Sequence, residues 1–174
     1  MFSAADIKST LVTNTGSGTA TTSALDTTGY DLLLAVTNFY INGTGSNGLT
    51  ISDSYGNTWQ TRPKVSASRQ GLQLSWCKPK PGGTGSGHTL TATTNGGSNQ
   101  IFGCVTFIAI KGSYSVPFGI ENSGLAGSGS TTIRPGPIVA NDGDLLIFAT
   151  AEDDPADSGT PAYAVDSGFQ IIQQ

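Results

Sequence analysis

Apolar side chains in this chain recur with a period of two, and no window sustains the i, i+3, i+4, i+7 spacing of an amphipathic helix. Leu72, Leu74 and Trp76 alternate with Gln73, Ser75 and Cys77, and the run from His88 to Thr94 sets Leu90 and Ala92 on one face. Three runs are nearly continuous in apolar residues: 30–41 (YDLLLAVTNFYI), 100–110 (QIFGCVTFIAI) and 144–151 (DLLIFATA). Continuous runs of this length fit strands covered on both faces. Between them lie stretches rich in Gly, Pro, Ser and Asn at 42–48, 79–87, 95–99, 123–130 and 134–137. Such residues supply positive φ angles and tight reversals. About ten short strands joined by turns predict an all-β fold, a two-sheet antiparallel β-sandwich of jelly-roll or Ig-like type with minimal helix.

The 174 residues suit one domain, long enough to bury a substantial core. Residues 1–23 read as an N-terminal arm or edge strand, and residues 24–174 as the sandwich, with a C-terminal end that looks incomplete. Asp31 to Thr37 (DLLLAVT) echoes Asp144 to Thr150 (DLLIFAT), a likeness that follows from several buried strands starting at a Gly/Asp corner.

The net charge of −4 argues against a nucleic-acid partner held by phosphate contacts. Its distribution is uneven. The stretch between Asp53 and Glu121 carries +6 from Arg62, Lys64, Arg69, Lys78, Lys80 and Lys111, whereas residues 121–174 carry −7. Folding interleaves such segments on a solvated surface, or they attract one another between copies. The start of the chain lacks a charged segment followed by an apolar run, so no cleaved export signal is expected, and no run of 18 apolar residues exists to cross a membrane. Cys77 and Cys104 have no metal-binding spacing and are expected to be free thiols.

Catalysis finds no support in the residue pattern. His88 is the only histidine, no G-x-S-x-G elbow is present, and Gly82 to Gly87 matches a phosphate-binding loop only in glycine content. That loop reads as a flexible hairpin. No enzymatic activity and no bound cofactor are expected. Glu152, Asp153, Asp154 and Asp157 place four carboxylates in six residues, the donor type that Ca²⁺ takes, but without the spacing of a known Ca²⁺ loop; a solvated acidic loop is the preferred reading and a Ca²⁺ site the alternative. Trp59 and Tyr55, beside a turn, are candidates for stacking on a sugar ring. Trp76 shares its face with Leu72 and Leu74 and belongs in a core.

The segment 49–59 (LTISDSYGNTW) is the most distinctive in the chain. Alternation runs into Asp53, the pair Gly56-Asn57 reverses the chain, and Asp53 and Asn57 can accept backbone N–H groups inside the turn. The run Ile51 to Trp59 resembles the D-S-x-G-N-T-W hairpin of β-sandwich domains in phage structural proteins and bacterial surface proteins. The strand 104–112 (CVTFIAIKG) and the Gly-Asp-Leu-Leu corner at 143–146 are similar to later parts of such domains. The resemblance implies a non-catalytic structural or assembly protein of a virion, such as a capsid decoration, fibre or tail component, assembled in a host cytoplasm. The alternative is a carbohydrate-binding or adhesion module of a longer secreted bacterial protein, located outside the cell. The expected partners are copies of itself or other virion proteins, or glycans, with neither nucleic acid nor membrane. An uncharged apolar edge at Phe169, Ile171 and Ile172 is the expected assembly edge.

Overall fold

The computed structural model describes residues 4–13, 18–41, 49–67, 70–94, 100–113, 115–118, 122–123, 137–139, 141 and 144–150. These residues contain nine strands, one three-residue 3-10 turn at Ala4–Asp6 and no α-helix. The strands are β1 (Ile7–Thr13), β2 (Thr19–Thr21), β3 (Leu32–Ile41), β4 (Leu49–Asp53), β5 (Gln60–Thr61), β6 (Val65–Ala67), β7 (Gln70–Cys77), β8 (Leu90–Thr94) and β9 (Gln100–Ile110).

They form two antiparallel sheets packed face to face. The larger runs β1-β9-β3-β7, with β5 and β6 following one another along the free edge of β7; the smaller runs β2-β8-β4. Pro63 separates β5 from β6. It has no N–H to donate, so the edge ladder is interrupted there. The chain passes from one sheet to the other at most of its connections, so that β2 to β3, β4 to β5 and β7 to β8 all cross between the sheets. The D-S-x-G-N-T-W segment is therefore an arch, not the hairpin expected from the sequence. Its flanking strands lie in different sheets, because β4 pairs with β8 and β5 pairs with β7.

The main core fills the space between the sheets. The large sheet contributes Leu33, Ala35, Phe39, Phe102, Val105 and Phe107, and the small sheet answers with Ala20, Ile51, Leu90 and Ala92. The rings of the large sheet meet aliphatic side chains of the small one, two of them alanines, so that the layers interlock. A bulge makes this arrangement possible. Asn38 pairs with Cys104 but Phe39 pairs with Phe102, so Gly103 is the extra residue in β9. Strict alternation would place Phe102 on the same face as Cys104 and Thr106. The extra residue turns it inward beside Phe39.

The outer face of the large sheet is apolar as well. Leu32, Leu34, Ile108 and Ile110 are buried there, with Val36 and Trp76 beside them, under a cover that includes Phe118, Leu145 and Ile147. This second layer explains why the runs at 30–41 and 100–110 lack polar alternation. It also places Trp76 on the outer face, against Phe118, while Ser75 and Cys77 point inward. Residues 144–150 show alternating burial, but they are not a strand among the described residues, contrary to the reading of 144–151 as a buried strand. The N-terminal residues belong to both sheets: β1 pairs with β9 along its whole length and β2 pairs with β8.

Both cysteines are free, Cys77 buried and Cys104 partly accessible. Burial, with a further contribution from the negative charge of Asp53, pushes the Cys77 thiol up to about 12. A chromogenic thiol reagent at mildly alkaline pH is expected to modify Cys104 in the native protein and to count two thiols only after denaturation. Truncating Phe107 to Ala, at the centre of the core, is expected to cost about 3–5 kcal/mol in urea denaturation.

Candidate functional site

Three arches gather at one end of the sandwich: 22–31 between β2 and β3, 54–59 between β4 and β5, and 78–89 between β7 and β8. Asp53, the last residue of β4, joins them. Its Oδ1 accepts the backbone N–H of Tyr55 at 2.8 Å and of Asn57 at 3.2 Å, and its Oδ2 accepts the indole N–H of Trp59 at 2.6 Å. Asp53 thus bonds inside the turn as expected, with Gly56 at φ +66° closing it, whereas the Asn57 side chain bonds outside the turn. Oδ1 also lies 3.4 Å from His88 Nε2, and both side chains are fully shielded from solvent. At that distance the contact is electrostatic. Nε2 has no hydrogen-bond partner among the described residues.

The other imidazole nitrogen reaches the first arch. His88 Nδ1 and Thr27 Oγ1 are 2.8 Å apart, and Thr27 Oγ1 also accepts Gly85 N–H at 3.1 Å. The backbones run alongside, with Leu25 and His88 exchanging both N–H groups at 2.8 and 2.9 Å. Asn57, buried, spans the second and third arches: its Nδ2 donates to Gly83 O at 2.8 Å and its Oδ1 accepts Lys80 N–H at 3.1 Å. The Tyr55 hydroxyl donates to Ser86 O at 2.9 Å. Tyr55 and Phe107 meet the His88 ring edge-on, with centroids at 4.6 and 5.0 Å.

The glycines of the third arch are there for closeness. A Cβ on Gly83 would collide with the Asn57 amide and come within 2.8 Å of Lys80 O, and one on Gly85 would collide with the Tyr55 hydroxyl. The loop read from sequence as a flexible hairpin is instead the pinned lid of a buried polar cluster. Burial alone would raise the Asp53 carboxyl. The His88 imidazole beside it and hydrogen bonds from Trp59 and Asn57 outweigh that penalty and hold it well below the ordinary carboxylate range.

Thr27, His88 and Asp53 have the chemistry of a proton relay. Their placement gives them a different role, because Thr27, His88 and the Asp53 side chain are all inaccessible and Thr27 Oγ1 is already committed to the backbone of Gly85. A nucleophile must meet its substrate. As arranged, this cluster ties the arches together. Sequence reasoning found Asp53 and Asn57 but missed Thr27 and His88. The available signal was a lone histidine bordering a strand, which carries no information about a carboxylate 35 positions upstream.

The sugar-stacking candidates point into this cluster. The Trp59 N–H is given to Asp53 and its ring packs edge-on against Phe107 at 6.4 Å, and Tyr55 covers His88. Glu152, Asp153, Asp154 and Asp157, and the edge residues Phe169, Ile171 and Ile172, lie outside the described residues. Among the described residues no group of three or more His, Cys, Asp and Glu side chains is placed to hold a metal ion, and no helix is long and apolar enough to cross a membrane. No protein-family model, curated protein or solved structure matches this chain.

Replacing Asp53 by Asn puts an NH₂ group against N–H donors and removes the buried charge facing His88. The expected loss is about 3 kcal/mol, read from the urea midpoint. The pH dependence has a definite sign. A carboxyl depressed in the folded state stabilises fully above its unfolded value, near pH 4, and that contribution is lost as pH falls further toward the folded value. Urea titrations are therefore expected to show an Asp53 contribution that is constant at neutral pH and falls away only below about pH 4, with a shallower acid limb in Asp53→Asn.

Proposed function

We propose that this domain is a non-catalytic structural and assembly protein, acting by packing against further copies of itself or other structural proteins, as virion components do. The observation that carries the reading is the segment 144–150. It lies over the outer face of the large sheet, with Leu145 and Ile147 packed inward and burial alternating from Asp144 to Phe148, and forms no ladder with any described strand. Leu146 and Phe148 point the other way and are 43% and 45% exposed. Val116 and Val139, in the neighbouring stretches of chain, are each 76% exposed. Alternating burial, an outward apolar pair and no ladder among the described residues together favour a segment that takes a strand partner. Strand addition supplies affinity through the main chain and specificity through alternate side chains. The edge expected at 169–172 thus has a counterpart at 144–150 that does not depend on the residues near Gln174.

In this reading the sealed Asp53 cluster serves to hold the three arches together. The inward orientation of Trp59 and Tyr55 takes away the main support for the alternative of a sugar-binding module. Phage-type assembly rests on the sequence resemblance, to which the segment 144–150 adds a physical means of association.

Light scattering on the purified chain, alone and with Leu146→Lys and Phe148→Lys combined, tests the proposal. The unmodified chain is expected to self-associate in a concentration-dependent manner, and the double variant to remain monomeric with the same cooperative melt. A monomeric wild-type chain that melts cooperatively and shows no tendency to associate would overturn it.

A further inference from the structure

We draw no further inference here: the strongest candidate, the buried side-chain cluster of Thr27, His88 and Asp53 at the arch end of the sandwich, where the imidazole Nε2 has no hydrogen-bond partner among the described residues, belongs to the site already described and is shielded from any ligand.

Discussion

One buried carboxylate fixes the end of this sandwich. Asp53 is taken out of water at a cost that no single hydrogen bond offsets, and it is held ionised by three protein donors and an imidazole edge. Those donors belong to the arch that follows it, while the imidazole belongs to the third arch, 78–89, and reaches the first, 22–31, through Thr27. Arches between sheets lack the ladder hydrogen bonds that stabilise a hairpin, so their backbone groups need other partners. Here Asp53, Asn57, Thr27 and Tyr55 provide them. The compact glycines at 83 and 85 are required because the third arch lies directly on these side chains.

With that end fixed, the two sheets present dissimilar outer faces. The large sheet is apolar on both sides and needs a cover, which includes Phe118, Leu145 and Ile147. The covering segment leaves Leu146 and Phe148 facing outward, and the assembly reading rests on this incompletely satisfied layer. The small sheet is apolar only inward and ends in hydroxyls. The two outer faces therefore differ in chemistry, apolar and covered on the large sheet, hydroxyl-bearing on the small one.

Much of the fold was legible in the sequence, because period-two alternation and continuous apolar runs report directly on strands and on how many of their faces are covered. The runs at 30–41 and 100–110 became β3 and β9, central in the large sheet with apolar clusters on both faces. What escaped was the pairing. The Asp53–Trp59 turn has the residues of a hairpin, and only the partners of β4 and β5 show that it crosses between sheets. The bulge at Gly103 was equally silent, since a single glycine in an apolar run does not say which face the next phenylalanine will take. The segment 144–150 misled in the other direction: its composition is that of a buried strand, whereas it lies over a sheet face with half of its side chains outward. Of the site, Asp53 and Asn57 could be read locally. Thr27 and His88 could not, because they come together across 61 residues.

Amide hydrogen exchange on the wild-type chain and on Asp53→Asn, compared segment by segment, tests most directly whether this one carboxylate holds the three arches. Protection is predicted to fall together in all three stretches, at 25–27, 54–57 and 83–88, while β3 and β9 in the central sheet keep theirs. Loss confined to 54–57, with the Thr27 and His88 arches as protected as before, would contradict the account and reduce Asp53 to the cap of its own turn.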